Sequence, residues 1–200
     1  MKSLLVHGCY DRPTFQTLRS LGVTEFAFDL RARSSNLIPF SELRNLLPLI
    51  GVSTPVLIFE NDLPTTISSF LDLLKDHPVA PLLEMRDRLP STFYHSLHHP
   101  FLWMFHPEGE WREILRLPNC RGVLLPLKHQ AHYATLPELW DLLDRNQLRI
   151  FLHAETLSEM QQLKSKSEVE LSLDLTSEIE LSFRRVDQER LKSIALLKEA

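Results

Sequence analysis

Four imidazoles and four carboxylates stand at the ends of short apolar runs: His7, Asp29, Glu60, Glu84, His106, His129, His153 and Asp174. Imidazole nitrogens and carboxylate oxygens are common ligands of zinc and other divalent ions. They are also the commonest general acids and bases near neutral pH. The set points to a metal centre, with His7, His106 and His153 as first candidates, or to an acid–base site for a small molecule. The eight are far apart in sequence, so only a fold that gathers them can make them a site. The plain alternative is solvated loop residues that pair with one another and with Arg31, Arg86 and Lys128.

The elements that would do the gathering recur. Apolar runs fall at 4–6, 26–28, 55–59, 81–83, 101–105, 123–125, 149–152 and 169–175, about 20 to 28 residues apart. Several are apolar on successive residues, as expected of strands buried on both faces. Between them lie helix-like segments with start and stop signals. Asp11 and Pro13 open a helix over 14–21 that Gly22 ends, and Pro39 with Ser41 opens one over 42–50 that Gly51 ends. Further helices are expected at 65–74, 92–97, 108–115, 137–143, 157–163 and 187–197. Eight strand–helix units without a composition break imply a closed (β/α)8 barrel or a long doubly wound sheet, as one α/β domain over residues 1–200. In a barrel, these eight side chains would sit at the C-terminal strand ends, where such folds place their sites.

Bulk properties narrow the function classes. The chain of 200 residues is 44% hydrophobic and 24% charged, an ordinary globular composition. A net charge of −4 without long basic runs argues against nucleic-acid or anionic-membrane partners. No apolar stretch approaches a membrane span. Cys9 and Cys120 read as reduced thiols of a cytoplasmic protein, with Cys9 an incidental loop residue. Trp103, Trp111 and Trp140 are expected to pack in the core, and the pair His98-His99 to serve stability at the opposite face. Only five glycines occur, none after Gly122. Glycine-rich loops let backbone N–H groups approach a phosphate, and this chain has few.

The two ends resemble phosphoribosylanthranilate isomerase, a small (β/α)8 (TIM) barrel of tryptophan biosynthesis. His7-Gly8 stands where that family has Cys-Gly, Gly22-Val23-Thr24 falls on its Ala-Gly-Ala-Asp turn, and Ala27-Phe28-Asp29-Leu30 on its second strand. Arg33-Ser34-Ser35-Asn36-Leu37-Ile38 falls on its Ser-Pro-Arg segment. Leu173-Asp174-Leu175-Thr176-Ser177-Glu178-Ile179-Glu180 falls on its Val-Asp-Val-Ser-Ser-Gly-Val-Glu motif, and Val186–Leu191 on the start of its last helix. The resemblance implies a barrel, monomeric or dimeric, that takes a small phosphorylated ligand and needs no cofactor.

The departures bear on chemistry. The position of the family's catalytic cysteine is His7, and its general acid, an aspartate ending strand six, falls on Pro126. Its substrate-contacting arginine is Asn36, while Asp174 keeps the family identity. The phosphate-binding glycines fall on Lys128–His132, on Ala154-Glu155-Thr156 and on Glu178. The isomerisation needs one group to remove a proton and another to protonate the ring oxygen, and proline has no proton to give. The expectation is a barrel without isomerase activity or phosphate grip that binds a small molecule or a protein. The alternatives are a different acid–base reaction, metal-assisted or not, and a divergent isomerase with His7 as base.

Overall fold

The computed structural model describes residues 4–34, 36–51, 53–133, 135–156, 159, 170–174, 180–182 and 185–193. Eight parallel strands close on themselves in sequence order: β1 (Leu4–His7), β2 (Glu25–Asp29), β3 (Thr54–Phe59), β4 (Leu82–Met85), β5 (Phe101–Met104), β6 (Cys120–Pro126), β7 (Arg149–Ala154) and β8 (Glu170–Asp174). Closure is made by β1 against β8, with His7 opposite Asp174. This is the barrel; the doubly wound alternative is excluded by that pairing.

The helices follow the sequence signals. In α1 (Arg12–Ser20), Asp11 Oδ1 accepts the Thr14 N–H at 2.7 Å, and Pro13 occupies a first-turn position where no N–H is missed. Gly22 ends it with φ 77°, a left-handed conformation that costs glycine little. α2 (Phe40–Ile50), α3 (Pro64–Leu73), α4 (Ser91–Ser96) and α5 (Trp111–Ile114) follow β2 to β5. A 3-10 turn (Leu127–His129), the short α6 (Gln130–Tyr133) and α7 (Pro137–Arg145) follow β6. A two-stranded β9 (Glu180–Ser182) and β10 (Arg185–Val186), absent from the sequence reading, precede α8 (Gln188–Ser193). The expected helix over 157–163, apart from Glu159, and residues 175–179 and 194–200 lie outside the described residues.

Two apolar clusters stabilise the fold. The larger lies between strands and helices, with Phe15, Leu18, Phe26, Leu43, Trp103 and Ile114 among its fully covered members. Trp140 departs from the expectation: it is 40% exposed on α7, and its indole N–H donates to the Tyr133 carbonyl. The smaller cluster fills the barrel axis with Leu5, Ala27, Val56, Ile58, Leu82, Leu102, Met104, Leu124 and Phe151. Gly122 allows the close approach of β6 and β7 beside it; a Cβ there would lie 2.6 Å from the Arg149 carbonyl oxygen.

Side chains alternate across a strand. Stepping two residues toward the C-terminal end from Leu5, Leu82 and Phe151 in the axis gives His7, Glu84 and His153. Stepping two residues the other way from Ala27 and Phe151 gives Glu25 and Arg149. At that N-terminal end Arg149 donates to Glu25 and Glu170 and closes the barrel floor. The axis therefore runs from a charged floor through an apolar middle to a polar roof.

Candidate functional site

The roof centres on Arg86, one residue beyond β4. Its Nε donates to Glu84 Oε1 at 2.6 Å and its Nη2 to His7 Nδ1 at 2.6 Å, while Nη1 lies 3.9 Å from Asp174 Oδ2. His7 Nε2 is 3.2 Å from Glu84 Oε2 and 3.1 Å from Ser172 Oγ. Ser172 Oγ is in turn 2.9 Å from His153 Nδ1, and the two imidazole rings sit 5.0 Å apart. His7, Glu84, His153 and Ser172 are all buried. Among the described residues Glu84 Oε2 has no well-aligned donor, although His7 Nε2 is close.

Electrostatics set the charge states. Burial works to raise the Glu84 carboxyl, but His7 and Arg86 outweigh it and hold the group far below the usual carboxylate range. Glu84 is therefore an anion paired with the Arg86 cation. Burial above all lowers His153 well below an ordinary imidazole. His153 is neutral at physiological pH.

Beside this plug a cavity of about 320 Å³ opens at the mouth. Arg31, Arg86, Arg88 and Lys128 line it, with Glu60, Glu108 and Glu155 and the histidines His106, His129 and His153. Each of these cations already faces a carboxylate. Arg31 donates to Asp29 at 2.6 Å and to Glu60 at 3.3 Å, Arg88 to Glu108 at 2.7 Å, and Lys128 to Glu155 at 2.6 Å.

The expected site residues thus divide. His7, Glu84, His153 and Asp174 converge around Arg86. Asp29 is buried but turned to Arg31 and Ser34; burial raises its carboxyl, and those bonds outweigh it and lower the group. Glu60 and the exposed His129 sit on the cavity wall. Asn36 is buried, its N–H donating to Ser34 Oγ, and it does not line the cavity.

The trio His7, His106 and His153 is not assembled as a metal set. His106 Nε2 lies 3.1 Å from the Arg86 carbonyl oxygen, with its ring against Trp103. Asp174 takes its place, and His7, His153 and Asp174 bring ligand atoms within 4.8 Å of one another. Arg86 stands among those atoms. Like unit charges 4 Å apart repel by about 4 kcal/mol at an effective dielectric constant of 20, and a dication doubles that. A metal would have to displace Arg86 first.

Burial pushes the Cys9 thiol far up, so it is no thiolate nucleophile. Two members of the roof were missed as site residues. Ser172 sits in Glu170-Leu171-Ser172-Leu173-Asp174, whose alternation marks it as inward-facing. Arg86 lies two residues beyond Glu84, where the sequence suggests only a pairing partner for loop residues.

This architecture defines a (β/α)8 barrel with a polar C-terminal mouth. No family model matches the sequence, and no curated protein matches it. Solved structures do. Phosphoribosylanthranilate isomerase from Thermus thermophilus aligns with TM-score 0.69 and 19% identity over 98% of each chain. A phosphoribosylanthranilate isomerase in complex with reduced 1-(o-carboxyphenylamino)-1-deoxyribulose 5-phosphate aligns with TM-score 0.71 and 15% identity over 100% of this chain and 99% of that one. Monomers generated from the dimeric Thermotoga maritima enzyme align with TM-score 0.72 and 15% identity over 100% of each chain. An HpcH/HpaI aldolase from Desulfitobacterium hafniense aligns at 0.67 with 9% identity, over 100% of this chain and 93% of that one. At such identities the likeness establishes the fold.

Proposed function

We propose that this chain is a barrel similar to phosphoribosylanthranilate isomerase that binds a small molecule at its C-terminal mouth and does not catalyse the isomerisation. The observation that carries this reading is the state of His7. Arg86 occupies its Nδ1 and Glu84 and Ser172 face its Nε2, so the residue in the family's base position has no nitrogen free for a substrate. Pro126, in the position of the family's acid, ends β6 and offers no proton. The cavity beside the plug supports a small molecule over a protein as ligand. The two buried free cysteines support a reducing, cytoplasmic setting.

A second reading, an enzyme with another acid–base reaction, draws on the contacts from His7 through Ser172 to His153. The test is complementation of a tryptophan auxotroph that lacks the isomerase. The binding reading expects no growth under strong expression of this chain. Growth, abolished by His7→Ala, would overturn it in favour of a divergent isomerase.

A further inference from the structure

Which nitrogen of each mouth histidine carries its proton follows from the groups around it. A guanidinium has N–H donors and no acceptor. Arg86 Nη2 therefore donates to His7 Nδ1, and that nitrogen is bare. His7 keeps its one proton on Nε2. A protonated nitrogen cannot accept from a hydroxyl, so between His7 and Ser172 the serine oxygen accepts. The serine hydroxyl then donates to its other partner, His153 Nδ1. His153 is left with its proton on Nε2, and the residue lines the cavity.

His106 is fixed the other way. Its Nε2 faces the Arg86 carbonyl oxygen, which only accepts. Nε2 donates there, and Nδ1 remains a bare acceptor. The charges are equally settled. Six carboxylates surround the cavity: Glu60, Glu108 and Glu155 on its wall, and Asp29, Glu84 and Asp174 behind Arg31 and Arg86. Four cations, each already facing one of them, leave no surplus positive charge for a dianion.

We propose that the cavity takes a small uncharged hydroxy-carbonyl compound, recognised by His153 Nε2–H as fixed donor and His106 Nδ1 as fixed acceptor, and that it disfavours the phosphate ester of the same compound. A carbonyl oxygen accepts from His153 and a hydroxyl donates to His106. This rests on the binding reading above. Arg86 and Ser172 act here as positioning residues, since they hold the His153 tautomer without needing to touch the ligand.

The experiment is side-chain nitrogen NMR on the 15N-labelled full chain. In the ligand-free protein the expected spectrum has protonated Nε2 and bare Nδ1 on His7, His106 and His153. Ser172→Ala should leave His7 unchanged and give His153 a mixture of the two tautomers. A protonated Nδ1 on His153 in the unmutated protein would overturn the inference. D-Ribulose and D-ribulose 5-phosphate are then added at equal concentration. The sugar should shift the His153 and His106 signals more than its phosphate ester does. A larger shift from the ester overturns the ligand class. Silence from both, with the tautomers as stated, overturns the binding reading itself.

Discussion

Replacing Arg86 with methionine tests the roof most sharply. Arg86 is 11% exposed, and its partner Glu84 has no exposure. The substitution keeps most of the apolar stem and removes the cation. Glu84 is then a buried carboxylate whose remaining ion-pair partner among the described residues is His7, with Nε2 at 3.2 Å. Removing one partner of a buried pair costs about 3–5 kcal/mol, because the remaining charge stays desolvated. At this chain length each kcal/mol moves the melting temperature by roughly 2–4 °C, so the expected fall is about 6–20 °C at pH 7.

The pH dependence of this variant should be shallower on the acid side. In the native protein the folded Glu84 sits below its unfolded value. Its stabilisation is complete above the unfolded carboxyl value near 4.3 and fades as pH falls below it. Arg86→Met removes one of the groups that hold Glu84 down, while His7 stays and burial still pushes the carboxyl up, so the folded value rises toward the unfolded one. The variant should therefore lose less stability than the native protein as pH falls through the carboxyl range. The double variant Glu84→Gln/Arg86→Met removes the orphaned charge and should recover most of the loss. Chemical denaturation at several pH values reads all three proteins. A single-variant loss below about 1 kcal/mol, or no recovery in the double variant, would refute the reasoning, because surface-like pairs are worth no more than that.

Three further outcomes are expected. Gly122→Ala should cost about 1–3 kcal/mol in denaturant titrations, since its methyl meets the Arg149 carbonyl oxygen at 2.6 Å; an unchanged midpoint would contradict the close packing of β6 on β7. Asp11→Ala should lose about 1 kcal/mol through the missing cap on the Thr14 N–H, while Asp11→Asn should keep most of it. Cys9 in the folded protein should react with a thiol reagent at pH 8 far more slowly than in the unfolded chain, because burial holds it as a thiol; comparable rates would show that the loop after β1 opens.

The strands were legible because a barrel strand is covered on both sides and spells a short apolar run. All eight barrel strands overlap the runs read from sequence. The β9–β10 hairpin was not, since Glu180–Ser182 and Arg185–Val186 are too short to carry a period. In the candidate site, strand-end position picked out His7, Glu84, His153 and Asp174, which the fold gathers around Arg86. It could not say where side chains turn. Asp29 bends back to Arg31 two residues on, and His106 to a backbone carbonyl. The first choice is local, but the second depends on neighbours that the fold brings close, as does Arg86 reaching His7 across 79 positions of sequence. Ser172 was within reach of the alternation in β8. A lone serine in a strand carries no chemical signal until two histidines are seen on either side of it.

The account stands on the claim that this barrel keeps the isomerase fold without its reaction. Conversion of phosphoribosylanthranilate by the purified chain, followed by product formation beside an authentic isomerase, measures that directly. The account predicts a rate equal to the uncatalysed background at any protein concentration, unchanged by His7→Ala. A rate proportional to protein concentration that His7→Ala abolishes would contradict it.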